Sequence, residues 1–204
     1  MSVVVRPLRA DDAARFLELI DGLADYERLP RPDTAARQRL IADALSDPPR
    51  FRTLLAEIDG EVLGYAIYFF TYSSFRARPT LYLEDVFVVP ERRGEGAGVA
   101  LFRACAREAV ANACARMEWQ VLSWNTPSIE FYKRLGARQL EDWLPFRLED
   151  EALRAAAEPS AVSYQPSAGS GRSAVHDPWR PNVDFGNTVR TEGREPRRKP
   201  TRDG

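Results

Sequence analysis

Histidine and cysteine are nearly missing from this chain: one histidine, His176, and two cysteines, Cys105 and Cys114, in 204 residues. Metal centres of the His/Cys type and histidine-based catalytic triads therefore have almost no material, and no metal is expected. The two cysteines fall nine residues apart in one predicted helical stretch, on different turns and out of bridging distance, so they read as reduced core residues. No run of about 18 apolar residues exists to span a bilayer, so no membrane span is expected. The N-terminal MSVVVRPLRADD passes from a short apolar run straight into charge, without the charged, apolar, small-residue order of a secretory signal, so a cytoplasmic protein is the default expectation. A formal net charge of -1 offers no broad basic surface for nucleic acid. Chemistry is left to carboxylates, tyrosine and backbone groups.

What is present suits one soluble domain: 44% hydrophobic and 29% charged residues, enough for one substantial core and too few for two. That balance stops near Glu158. Beyond it there is no Leu or Ile, while Pro, Gly, Ser and Arg accumulate through PSAGSGRS and REPRRKPTRDG, leaving too little apolar surface to offset the entropy of ordering. Residues 1–157 are read as the folded domain and 158–204 as a disordered tail. With 21 basic and 24 acidic residues before Glu158, and 8 and 6 from it onward, the body carries about -3 and the tail about +2. The tail reads as an inert extension, or as a weak docking arm for an anionic partner centred on the basic cluster at 194–202.

The folded part alternates. A short strand at 3–6 precedes a helix that Asp11 or Asp12 can cap, with Phe16, Ile20 and Leu23 at helical spacing. Thr34 can cap a second helix reaching about Leu45. Two strand-like runs, 51–58 and 61–72, flank Asp59-Gly60, the strongest short hairpin signal, and should be antiparallel. A third run, 81–89, ends at Pro90, and helix-compatible sequence follows from about Gly96 to Asn112. Residues 117–123 read as another strand, a helix begins at Asn125 or Thr126, and Gly136 stands where a helix end wants a left-handed residue. This order predicts an α/β or α+β fold whose sheet becomes parallel in its C-terminal half, where crossover helices are needed.

Between the third strand and its helix lies Arg92-Arg93-Gly94-Glu95-Gly96-Ala97-Gly98. Successive backbone N–H groups and the positive helix end can face one anion there, with Arg92 or Arg93 adding a charge-assisted contact. A dinucleotide fingerprint would need glycine where Val99 stands, and a Walker loop would need Gly-Lys-Ser/Thr, which is absent. Glycines that merely let a loop bend are the bland alternative.

Arg93, Gly96 and Gly98 meet the Arg/Gln-x-x-Gly-x-Gly/Ala turn of the GNAT superfamily of acyl-CoA-dependent N-acetyltransferases, which the sequence resembles. YLEDVFVVPERRGEGAG together with WNTPSIEFYKRLGA, DYERLP and FFTYSSF is similar to the spermidine/spermine (diamine) acetyltransferase branch, over about residues 3–150. The resemblance implies a mostly antiparallel sheet with splayed, parallel central strands between helices, acetyl-CoA as co-substrate, and a homodimer. It implies that backbone groups of Val86, Phe87 and Val88 pair with the pantetheine arm. Arg93, Gly94, Glu95, Gly96, Ala97, Gly98 and Val99 would then hold the pyrophosphate, with Asn125 and Ser128 lining the path and Lys133 near its outer end.

Acetyl transfer from a thioester to an amine needs a neutral amine, a polarised carbonyl and a proton for the departing thiolate. Tyr132, a phenol in the last predicted helix, suits the acid role, and the resemblance assigns it there; without the motif it would read as a packing aromatic beside Phe131. Glu84 and Asp85 are consecutive acids in an apolar strand, and alternation should point them to opposite faces. The resemblance makes Glu84 the base and Asp85 a substrate contact; an edge position or an internal ion pair is the bland alternative. Tyr26 and Glu27, at the end of the first helix, match polyamine-contacting positions. Phe75 stands where the branch often has tryptophan, and Arg76 and Arg78 put selection for a long polycation in question. The expected activity is acetyl transfer to a primary amine of a small molecule such as a diamine, polyamine or lysine-like amino acid. Two rivals stay open: acetylation of a protein or drug amine, and a silent acyl-CoA-binding sensor or scaffold.

Overall fold

Residues 2–158 are described by a computed structural model, so the expected tail lies, but for Glu158, outside the described residues. The elements run β1 (Val3–Pro7), α1 (Ala13–Glu27), α2 (Thr34–Ala44), β2 (Arg52–Ile58), β3 (Glu61–Ser73), β4 (Arg78–Val88), α3 (Ala97–Ala111), β5 (Arg116–Glu118), α4 (Thr126–Arg134) and α5 (Asp150–Ala157). The chain divides into compact units after Gln139. The second begins at Leu140, and among the described residues its regular element is α5.

In the first unit the five strands lie in the order β1-β2-β3-β4-β5, antiparallel through β4 and parallel between β4 and β5, as the alternating pattern predicted. Asp59 and Gly60 both take positive φ, 51° and 84°, the geometry a two-residue hairpin demands, and Ile58 pairs directly with Glu61 across it. The parallel pair needs a crossover, and α3 supplies it.

The sheet is covered on both faces. On one, Ala97, Leu101, Ala104, Cys105 and Ala109 recur at helical spacing along α3 and bury against Leu54, Ala66, Tyr68, Leu81 and Leu83. On the other, Phe16 and Leu19 of α1 meet Leu55, Tyr65, Ile67 and Phe87, with Leu40 and Ile41 of α2 packed beside them. Phe16 and Tyr65 meet edge to face at 5.4 Å between centroids.

Several local expectations are corrected. Asp33, not Thr34, caps α2: its carboxylate accepts the Ala36 N–H at 2.7 Å, a reach available one residue before the first helical turn. Asp12 precedes α1 without capping it, because its carboxylate is taken by the Arg9 N–H and by two bonds from Arg6. Cys114 lies beyond α3, since Ala113 turns left-handed at φ 53° and ends the helical run; Cys105 is buried in the core. Among the described residues no helix is long and apolar enough to cross a membrane, and no group of His, Cys, Asp and Glu has metal-binding proximity.

Candidate active site

The opening that forms the site starts where β5 stops. Only Thr80–Tyr82 of β4 pair with β5, so from Leu83 onward β4 has β3 on one edge and no strand on the other. The predicted strand at 117–123 is thus reduced to Arg116–Glu118. Its continuation leaves the sheet because Trp119 packs on Phe102 of α3 at 5.3 Å and on Tyr132 of α4 at 5.0 Å. Val86, Phe87 and Val88 line the stretch of β4 left with one open edge, where an extended arm can be added as a strand.

The turn after β4 is held from both sides. Arg92 donates two bonds to Glu95, at 2.7 and 3.0 Å, and a third to Glu61 beside the β2–β3 hairpin, at 2.6 Å. Of the two arginines that could have met an anion, Arg92 is therefore occupied. Arg93 donates from Nε to the Val88 carbonyl at 3.0 Å, leaving its terminal amino groups without a bond among the described residues. Gly94 and Gly96 take φ of 90° and 95°, conformations that side chains disfavour. At the start of α3 the N–H groups of Ala97, Gly98 and Val99 have no acceptor within the helix, which aims donors and the positive helix end outward. A Cβ on Gly98 would come no nearer than 3.8 Å to Val88, so the protein itself does not require glycine there; a ligand lying against the backbone would.

Across the opening, Asn125 caps α4, accepting the Ser128 N–H at 3.3 Å on the oxygen that also accepts the Tyr26 hydroxyl at 3.0 Å. Gly136 is left-handed as predicted, and the far end of α4 closes through Gly136 N–H to the Lys133 carbonyl and Ala137 N–H to the Tyr132 carbonyl. Tyr132 is thereby fixed between two capped ends. It is 9% exposed, its ring meets Phe102, Trp119 and Phe131, and its hydroxyl has no hydrogen bond among the described residues. Burial, then the carboxylates of Asp85 and Glu27, pushes the phenol up to about 12. Lys133 is exposed and paired with Glu130 at 3.1 Å, and makes no bond to the turn.

The carboxylates do not separate as alternation predicted. Ile67 pairs with Asp85 and the next residue, Tyr68, with Leu83, so Glu84 is an extra residue in β4, a bulge that shifts the side-chain frame by one. Counted forward from Leu83, Glu84 takes the α1 face; counted back from Val86, so does Asp85. Glu84 is exposed. Asp85 is partly buried and accepts a long bond from the Tyr65 hydroxyl at 3.4 Å. Burial, then the charges of Glu84 and Glu27, raises the Asp85 carboxyl to about 6. Glu27, at the end of α1, is raised by burial. No arginine or lysine forms a salt bridge with Glu27, Glu84 or Asp85 among the described residues. Tyr65 was missed from sequence because it looks like any other strand aromatic; only the register beside Phe87 puts it under Asp85.

The acetyltransferase (GNAT) family model matches residues 16–137, which contain every one of these groups. The chain belongs to the GNAT family. It is an N-acetyltransferase, an enzyme that acetylates amines, and among GNAT proteins it falls with the diamine acetyltransferase-like branch. It is 38% identical over 164 residues to the thialysine N-epsilon-acetyltransferase of Sus scrofa, covering 75% of this chain and 96% of that one. It is 32% identical over 159 residues to the spermidine/spermine N(1)-acetyltransferase-like protein 1 of Homo sapiens, covering 73% of this chain and 23% of the relative. An integron cassette protein from V. cholerae superposes with a TM-score of 0.66 over 78% of this chain and 99% of its own, at 24% identity, a likeness of fold. GNAT proteins use acetyl-CoA, and the open edge of β4 and the glycine turn fit such a molecule.

Proposed function

We propose that this GNAT enzyme transfers the acetyl group of acetyl-CoA directly to a primary amine of a small molecule that carries more than one charge centre, a diamine, polyamine or lysine-like amino acid. The observation that carries the reading is the trio Glu27, Glu84 and Asp85, which form no salt bridge with an arginine or lysine among the described residues. Buried or half-buried carboxylates normally have partners, so a cluster without one suits a cationic ligand. The thialysine relative supports a lysine-like amine as one substrate.

Backbone groups of Val86, Phe87 and Val88 would align the pantetheine arm. Arg93 through Val99 would take the pyrophosphate on N–H groups and the Arg93 guanidinium, and Asn125 and Ser128 would border the path. Acetyl-CoA supplies the activated acyl thioester. Asp85 and Glu27 hold the substrate ammonium, and Glu84 at the bulge accepts its proton and passes it to solvent. As the nitrogen–carbon bond forms and the carbon–sulfur bond breaks, Tyr132 Oη gives its proton to the leaving sulfur, and the second proton lost by the nitrogen on becoming an amide restores the phenol. A phenol pushed up to about 12 stays protonated through neutral pH, as an acid must. A homodimer is part of this proposal, to be checked by light scattering.

The test is thiol release from acetyl-CoA against a panel of diamines, polyamines and lysine analogues, comparing wild type with Tyr132→Phe. Removing the acid is expected to lower kcat by about 10²- to 10³-fold with acetyl-CoA affinity unchanged. Wild type that binds acetyl-CoA but releases CoA with none of the amines would replace this reading with the sensor.

A further inference from the structure

Tyr26 stands in the last turn of α1, two residues before Arg28 ends the helix in a left-handed conformation. It touches both walls of the opening between β4 and β5. Its hydroxyl donates to Asn125 Oδ1 at 3.0 Å, across 99 residues of sequence, at the start of the helix that carries Tyr132. The Arg93 guanidinium lies over its ring at 4.7 Å from the centroid and over Phe87 at 5.7 Å, while Arg93 Nε holds the end of β4 through the Val88 carbonyl. Trp124, just before the α4 cap, lies 5.8 Å away, ring to ring.

These contacts form one chain: the end of β4, Arg93, Tyr26, Asn125, and the first turn of α4. No strand pairing ties β4 to the α4 side at this level, because the β4–β5 ladder ends at Tyr82 and Glu118. Asn125 is 6% exposed, and its oxygen serves both the Tyr26 hydroxyl and the Ser128 N–H. Loss of the hydroxyl would leave a buried acceptor short of one donor. The ring face is covered by the Arg93 cation, which leaves poor room there for a second cation.

The geometry points to Tyr26 as a positioning residue, a strut that fixes the separation between the turn after β4 and α4, and through it the place of the Tyr132 hydroxyl relative to the acyl group. This rests on the acetyl-transfer reading above and differs from the sequence expectation that Tyr26 contacts the amine. Small displacements at a reacting centre are costly, so the strut acts on turnover rather than on amine binding.

Two variants of the full chain test it. Tyr26→Phe keeps the ring under Arg93 and removes only the bond to Asn125; Tyr26→Leu removes both. Kinetics with a diamine, and hydrogen exchange at the Ser128 and Ile129 amides, are measured for each. Tyr26→Phe is expected to lower kcat about 10-fold with the amine KM within about 2-fold and faster exchange at both amides. Tyr26→Leu should lower kcat further and raise the KM for acetyl-CoA. A raised amine KM with unchanged kcat in Tyr26→Phe overturns the strut in favour of a substrate contact, and so does unchanged kcat with unchanged exchange. Wild type that releases no CoA with any amine sinks the acetyl-transfer reading instead, while the exchange rates still report whether the tie exists.

Discussion

In the turn after β4, Arg92 meets Glu95 and Glu61, and Arg93 meets the Val88 carbonyl and two aromatic rings; around the β4 bulge, Glu27, Glu84 and Asp85 form no salt bridge with a cation among the described residues. Both regions are charged, and both lie within the residues matched by the family model. The turn uses most of its side-chain charge on itself, while the terminal amino groups of Arg93 and the first N–H groups of α3 keep no partner among the described residues. The carboxylates have no salt-bridge partner among the described residues, and burial raises the affinity of Asp85 and Glu27 for protons, with the nearby charges of Glu84 and Glu27 adding to it at Asp85. Paired charge here builds shape; in the function proposed above, unpaired charge recognises the amine.

The contrast is strained hardest by Asp85→Asn. Its carboxyl is raised from an ordinary 3.8 to about 6, so the folded chain binds the proton more firmly than the unfolded one, and stability falls as pH rises from about 4 to about 6. Replacing the carboxylate removes that loss, and the unfolding free energy at pH 7.5 should rise by up to about 3 kcal/mol in urea titrations. Activity should move the other way, with kcat/KM for a diamine down about 10- to 100-fold and the acid limb near pH 6 flattened. A variant both less stable and fully active would end the distinction between the regions. Arg92→Ala probes the paired side: the KM for acetyl-CoA is expected to rise about 3- to 5-fold at unchanged kcat, with stability altered by less than about 1 kcal/mol, because exposed ion pairs contribute little. A fall in kcat alone would show that the turn reaches the chemistry. Lys133→Ala should do least, under about 2-fold in any constant, since its ammonium is exposed and held by Glu130. A 10-fold rise in acetyl-CoA KM would place it on the cofactor.

Much of this was legible in the sequence where neighbours along the chain decide the outcome. Asp59-Gly60 fixes its hairpin by backbone preference alone, Gly136 ends α4 for the same reason, and the glycine turn falls between strand and helix as its sequence indicates. What stayed hidden depends on residues far apart. The bulge at Glu84 arises from the register of β4 against β3, and no composition signals it, so simple alternation put its two acids on opposite faces. β5 looked longer than it is because its apolar continuation is drawn to Phe102 and Tyr132 instead of to β4. The bond from Tyr26 to Asn125 leaves no local pattern at all.

The bulge also separates what the ladder needs from what the chemistry needs. Without Glu84, Leu83 opposite Tyr68 and Asp85 opposite Ile67 would follow in plain succession, and every pairing of β3 with β4 would still have its residue. Excising that one codon, rather than replacing it, would therefore yield a subtractive blank: a sheet of ordinary pleat, its cofactor turn and α4 unchanged, lacking one carboxylate and nothing else.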